Sequence, residues 1–258
     1  MPIGSKLHST ISDGSVQNEE KCTDTLFKKK FVFEEPIKVE RHKPEEKTIK
    51  EHGIHEISTS ANGVSRICYF PDFIEKEKAD EIFNILYKEL PWKQRSDVWP
   101  DGRTFLQPRL TAWYGDLPYT YSGQTHQPNP KWHPILQEIR EHLQKSLGIY
   151  FNSMLANLYR DGHDSVGWHT DKNPSLGEQP TIASLSFGDS RMFELRKNPP
   201  LEENGDYTYM EHIKAPVTHG SLLTMEGALQ HDWQHRVPKE YHDRGPRINL
   251  TFRLTFPE

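Results

Sequence analysis

Apolar positions recur at helical spacing in two stretches and then give way to short runs of strand length. In "EKEKADEIFNILYKEL" the residues Ala79, Ile82, Phe83, Leu86 and Leu90 share a helical face, and Pro91 ends the run. In "HPILQEIREHLQKSLG" Leu136, Ile139, Leu143 and Leu147 form the stripe, Pro134 suits the first turn and Gly148 the stop. Ahead of both, "VSRICYF" from Val64 reads as a strand. After Gly148 come "SMLANLYR", "TIASLSFG", "RMFELR", "YTYMEHIK", "GSLLTMEG" and "RINLTFRLTF". Each is rich in branched and aromatic residues and bounded by turn formers. Strands in sequence with no helix between them point to a sandwich or barrel. The predicted class is α/β, mainly β: a jelly roll, or double-stranded β-helix, buttressed by two N-terminal helices. Residues 1–62 sustain no period and carry mixed-charge runs such as "KKKFVFEEP" and "RHKPEEKTIKEH". They are expected to be a largely disordered polar arm, with the domain at residues 63–258. "FVF" at Phe31 to Phe33 is an apolar run in that arm that could dock.

Composition narrows the setting. The chain has 258 residues and a formal net charge of −5, so it is no polycation, and any nucleic-acid contact must be a local patch. Two cysteines, Cys22 and Cys68, exclude a disulfide framework and a cysteine zinc cluster, and suit a reducing compartment. No apolar run approaches membrane-spanning length and no signal-peptide core precedes the domain. A soluble intracellular protein is expected. The basic run Lys28 to Lys30 reads first as a solvated charge run and second as a nuclear signal.

Candidate chemistry starts at "GWHTDKNPS". In extended chain His169 and Asp171 face the same side, as two metal ligands would. Alone, HxD is as often a hydrogen-bonded turn. A third ligand must come from His212, His219, His231, His235 or His242, with His235 in "DWQHRVP" the rigid choice and His231 its competitor. Two histidines and one carboxylate on one face of a metal leave positions open, as in non-haem Fe(II) oxygenases. In "RINLTFRLTF" Arg247, Asn249, Thr251, Arg253 and Thr255 alternate with an apolar face. The two arginines lie on the order of 20 Å apart along the strand, and could grip opposite ends of a small diacid. An ordinary solvent-facing strand side is the plain alternative. Asn157 and Tyr159 share a strand face and could hydrogen-bond carboxylate oxygens. Trp92, Trp113, Tyr114, Tyr119 and Tyr121 interleave with Lys93, Arg95, Arg103 and Arg109, a mixture that suits a flipped base and its phosphates.

"WHTD", "WQHRVPKE" and "RINLTFR", in this order, resemble the AlkB-type Fe(II)- and 2-oxoglutarate-dependent dioxygenases, from about Val64 to Glu258. "PRLTAWYGDLPYTYS", "NLYRDGHDSVGWH" and "EENGDYTY" look like the vertebrate branch that prefers single strands. The resemblance implies that His169, Asp171 and His235 hold Fe(II). It implies that Arg247, Arg253, Asn249, Asn157 and Tyr159 bind 2-oxoglutarate. Trp92, Tyr119, Thr120 and Tyr121 would border the methylated base, with Arg109 at the pocket mouth and Lys172 and Asn173 beside it. The implied reaction uses O₂ to oxidise the methyl of 1-methyladenine or 3-methylcytosine in single-stranded DNA or RNA, releasing formaldehyde, succinate and CO₂. A monomer in nucleus and cytoplasm is expected, with no membrane partner and a possible protein partner for the arm. After the metal aspartate, relatives carry another acid, whereas this chain has Lys172 and Asn173. The segment "SDVWPDGRTF" also differs from the wedge of duplex-preferring relatives, with Trp99 as its candidate. A binding-only adaptor of the same fold, a protein-side-chain hydroxylase and a metallohydrolase are the alternatives.

Overall fold

The computed structural model describes residues 41–98, 101–121, 124–203 and 205–257. The expected disorder of residues 1–40, Cys22, the 28–30 basic run, the 31–33 "FVF" and Trp99 lie outside them. In chain order the elements are β1 (Lys47–Thr48), β2 (Gly53–Ser60), β3 (Gly63–Phe70), α1 (Lys76–Glu89), β4 (Lys93–Val98), β5 (Thr104–Gly115), β6 (Tyr119–Tyr121) and β7 (Gln124–His126). There follow α2 (Pro134–Leu147), β8 (Ser153–Tyr159), β9 (Val166–His169), β10 (Ile182–Gly188), β11 (Arg191–Lys197), β12 (His212–Val217), β13 (Leu222–Gly227), the short α3 (Leu229–Asp232), β14 (Trp233–Val237) and β15 (Arg247–Arg253).

Strands β8 to β15 are divided between two sheets. One contains β13-β10-β15-β8 and the other β12-β11-β14-β9, which is the jelly-roll arrangement. The first sheet is extended to eight strands by β2 and β3 at one edge and by β5 and β4 at the other. Ile67, Tyr69, Ile182, Leu223 and Met225 of the large sheet pack with Phe193, Leu195, Ile213, Val217 and Trp233 of the small one. The outer face of the large sheet carries the helices: Ala79, Ile82, Leu86, Leu136, Ile139 and Leu143 pack with Ile248, Leu250 and Phe252. Both predicted helices form, and Gly148 stops α2 in the left-handed conformation at φ 69°. His133 caps the N-terminus of α2, its Nδ1 accepting from Ile135 N.

Three expectations change. The arm does not reach residue 62, because β2 pairs antiparallel with β3 and β1 parallel with β12. Ile57 of β2 packs beside the inter-sheet core, an apolar contact that the surrounding charges mask in sequence. Strands also separate the helices. "TFLQPRLTAWYG" is a twelve-residue strand that Pro108 disguises, and its pairing with β4 shifts register there. Finally, "YTYM" is a turn before β12, and β15 ends at Arg253. All seven residues of β15 are buried. Its polar side therefore faces the space between the sheets and not solvent.

Candidate metal centre and active site

His169 ends β9, and its cross-strand partner on β14 is His235, with ring centroids 4.2 Å apart. Asp171 follows two residues on. Its backbone N–H donates to Gln230 Oε1 at 2.8 Å, and its Oδ2 accepts from Arg253 Nη2 at 2.7 Å. One ligand atom from each of His169, Asp171 and His235 lies within 4.8 Å of the others. His169 Nδ1 sits 2.8 Å from the Gly167 carbonyl. A carbonyl only accepts, so Nδ1 carries the proton and Nε2 keeps a lone pair, 3.9 Å from Asp171 Oδ1. The other candidate histidines are committed elsewhere. His231 meets the Glu178 carbonyl, His219 accepts from Gly188 N, His242 lies beside Glu240, and His212 packs edge-on to Trp168.

Burial lowers the pKa of both triad histidines, His235 to about 3, which keeps them neutral with lone pairs available. Burial pushes the Asp171 carboxyl up, but Arg253 and the two histidines outweigh it and hold it well below the usual carboxylate range. Asp171 Oδ1 and His235 Nδ1 are buried with no hydrogen-bond partner among the described residues. Two neutral histidines and an anion with such unmet atoms suit a divalent cation.

The polar face of β15 makes the floor. Asn157 accepts at Oδ1 from Arg109 Nε (3.0 Å) and donates to Asn249 Oδ1 (3.3 Å). Asn249 in turn donates to Ser184 Oγ, and Thr251 donates to Asn249. Arg247 donates through Nη2 to Ser186 Oγ at 2.9 Å and lies 5.1 Å from the Tyr159 ring centroid. Its Nε and Nη1 are buried without a hydrogen-bond partner among the described residues. Burial lowers its pKa to about 10, so it stays a cation at neutral pH. A buried cation with two open donors suits an anionic group of the ligand. The pocket thus brings together His169, Asp171, His235, Asn157, Tyr159, Arg247, Asn249 and Arg253. The arginines do not act as a symmetric pair, because Arg253 already holds Asp171. The cavity is tight, about 50 Å³, so a five-carbon diacid enters only as lining side chains give way.

Residues expected at the base divide differently. Arg109 lines both this pocket and an outer groove of about 320 Å³ that shares His169 and Val166 with it, a position at the pocket mouth. The groove is also lined by Asp97, Phe105, Pro108 and Trp168. Trp92 belongs elsewhere: its indole N–H donates to Leu86 O, and its ring packs on the helix side of the large sheet. The turn that follows α1 sets that direction, which residue type alone does not reveal. Tyr119 is buried, stacks on Trp113 at 5.0 Å and lies 5.9 Å from Arg253 Cζ. Burial raises its hydroxyl to about 12. Thr120 bonds Thr125 and offers its carbonyl to Asn173 Nδ2 at 2.6 Å. Of Tyr121 the structure describes the backbone, paired with Gln124. Asn173 Oδ1 accepts from Ser175 N and Oγ, so it has a structural task and is not a spare acceptor for a base. Lys172 is exposed. Sequence reasoning missed Gln230, Phe105, Asp97, Ser184 and Ser186. "ALQHDW" draws attention for its histidine alone, and the serine alternation of "ASLSFG" is the available signal for the last two.

Residues 66–253 match the model of the 2OG-Fe(II) oxygenase superfamily. The chain is 56% identical over 233 residues to alpha-ketoglutarate-dependent dioxygenase alkB homolog 3 of Bos taurus, covering 90% of this chain and 81% of that protein. It is 37% identical over 190 residues to DNA oxidative demethylase ALKBH2 of Homo sapiens, covering 72% of each. Among solved structures, that of OsALKBH1 covers 73% of this chain and 96% of its own at a TM-score of 0.50 and 17% identity, a likeness of fold alone.

Proposed function

The chain belongs to the 2OG-Fe(II) oxygenase superfamily and is a dioxygenase that needs Fe(II), 2-oxoglutarate and O₂; from that premise we propose that it oxidatively demethylates 1-methyladenine and 3-methylcytosine in single-stranded DNA and RNA. In this reading His169, Asp171 and His235 hold the iron, and Arg247 pairs with a carboxylate of 2-oxoglutarate. Bound iron supplies the oxidation of the methyl group, with succinate, CO₂ and formaldehyde as products.

The chain's own residues position the parts. Gln230 and Arg253 fix the Asp171 carboxylate from two directions. Asn157, Asn249 and Thr251 form a hydrogen-bonded floor that the cosubstrate meets without rearranging its backbone. The observation that carries the substrate reading is the groove reaching His169. It presents Phe105 and Asp97, cross-strand partners on β4 and β5. A base methylated at N1 of adenine or N3 of cytosine is cationic at neutral pH. An aromatic face and a carboxylate are complementary to such a ring. A methylated base that cannot pair is also easier to extrude, which helps its selection.

The test is formaldehyde and succinate release from single-stranded oligonucleotides carrying either base, against unmethylated controls. Release by the parent and its loss in His169→Ala and Asp171→Ala is the expected result. A parent that binds the oligonucleotides and releases neither product would overturn the demethylase reading. Parental rates in either variant would remove the metal assignment.

A further inference from the structure

A second cleft, of about 370 Å³, lies on the inner face of the large sheet at its β4–β5 edge. It is lined by Lys93 and Arg95 of β4, Thr111 and Trp113 of β5, and Thr125, His126, Gln127 and Asn129. It is set apart from the metal pocket: Tyr119, beside Arg253, stacks on Trp113, which forms part of the cleft wall. Three features give it one electrostatic sign. No carboxylate is among its lining residues, while Lys93 and Arg95 are cations. Burial is the cause that lowers Arg95, with no acidic neighbour offsetting it. Four buried polar atoms of the lining have no hydrogen-bond partner among the described residues: Arg95 Nε, Thr111 Oγ1, Trp113 Nε1 and His126 Nδ1. Two of these can only donate and the others can donate.

Buried donors are ordinarily paired, and an unpaired one is destabilising. The four lie in the lining beside the two cations, without a hydrogen-bond partner among the described residues. The ligand that suits such a wall is an oxyanion. Lys93 is exposed and the Arg95 guanidinium half-buried, so both can reach it directly. Arg95 is two residues from Asp97 on the same strand, roughly 7 Å along it. A strand that seats a base against Asp97 and Phe105 therefore runs past Arg95 and Lys93.

We propose that this cleft is a phosphodiester-binding subsite, in which Lys93 and Arg95 take the backbone of the strand next to the nucleotide in the groove. The inference rests on the reading of the substrate as a nucleic-acid strand, not on its demethylation.

The experiment is fluorescence anisotropy of the full chain with a single-stranded oligonucleotide carrying 1-methyladenine, over a salt series, for the parent, Arg95→Gln and Lys93→Gln. Each variant is expected to bind several-fold more weakly. The slope of log K against log salt should become shallower by about 0.7 for each phosphate that is no longer neutralised. Lys93 is exposed, so its substitution tests the proposal even where Arg95→Gln perturbs folding. Methylphosphonate linkages beside the target base should reproduce the loss in the parent and add nothing in Lys93→Gln. Parental affinity and slope in both variants would overturn the subsite. So would variants that still respond to the neutral linkages as the parent does. A parent that shows the salt effect yet releases no formaldehyde would remove the demethylase reading and leave this one standing.

Discussion

Replacing Arg253 by methionine isolates the electrostatics of the metal loop. Arg253 and Asp171 are 2.7 Å apart, with side chains 5% and 2% exposed. Removing one partner of such a pair leaves a buried charge and costs about 3–5 kcal/mol. The size can be checked another way. The orphaned carboxylate escapes by taking a proton, which at pH 7 costs about 1.4 kcal/mol for each of the roughly three units above an ordinary aspartate pKa, about 4 kcal/mol. In the parent the Asp171 pKa is depressed, so its stabilisation is present above the unfolded pKa and is lost as acid protonates it. In Arg253→Met the pKa is raised, so stability falls as pH rises above that of an unfolded aspartate. Between pH 5 and pH 7 the parent's contribution is constant, so the variant alone widens the gap, by roughly 2.7 kcal/mol over those two pH units. A divalent ion at the triad supplies the missing positive charge. Urea denaturation of parent and variant at pH 5 and pH 7, with and without Mn(II), is the assay. The metal-free gap at pH 7 should be the largest, and Mn(II) should reduce it by half or more. A gap that is independent of pH and of Mn(II) would refute the reasoning, because lost packing alone behaves that way.

Arg247→Met should raise the KM for 2-oxoglutarate about 10–100-fold, the effect of losing a charge-assisted hydrogen bond of roughly 1.5–3 kcal/mol, with kcat at saturation much less affected. A KM within twofold of the parent would sink the carboxylate assignment. Asp97→Asn should lower kcat/KM on a cationic methylated base by about tenfold and leave a neutral one such as 1-methylguanine unaffected. Equal losses on both would mean that Asp97 only shapes the hairpin. His126 is lowered to about 4 by burial first and then by Arg95 and Arg253. The unfolded chain protonates it near 6.5, so the folded chain loses stability as pH falls between those values, by up to about 3 kcal/mol. The pH dependence of urea midpoints should flatten in His126→Phe, and an unchanged profile would contradict the burial argument.

The jelly roll and both helices were legible because each rests on a local period: Ala79 to Leu90 at helical spacing, and the short branched runs after Gly148. What resisted reading was set by pairings far apart in sequence. β2 looks like arm until β3 pairs with it, and β5 is hidden by Pro108 until β8 and β4 flank it. The triad was legible for a different reason. His169 and His235 sit in register across two strands, and residues adjacent in register lie in short, patterned and rigid segments. The alternation of β15 was also legible, but which side was buried was not. Arginine and asparagine look solvent-facing until a second sheet covers them.

Position 173 is where sequence and structure differ most usefully. The acid expected there reads in sequence as a missing substrate contact. In the fold, Asn173 joins two segments. Its Oδ1 caps the turn after the metal aspartate, and its Nδ2 donates to the Thr120 carbonyl of the β6–β7 hairpin. An aspartate could keep the first bond, but it has no hydrogen to give to the second. It would instead set a carboxylate against a carbonyl oxygen at hydrogen-bond distance. The amide therefore ties the metal loop to the hairpin, and an acid there would release it. The carboxylate that lines the groove is Asp97 of β4, whose Oδ1 accepts from Gln107 Nε2 at 2.7 Å. On the proposed reading, charge recognition of the base falls to the sheet edge, while Asn173 ties the loop after Asp171 to the hairpin.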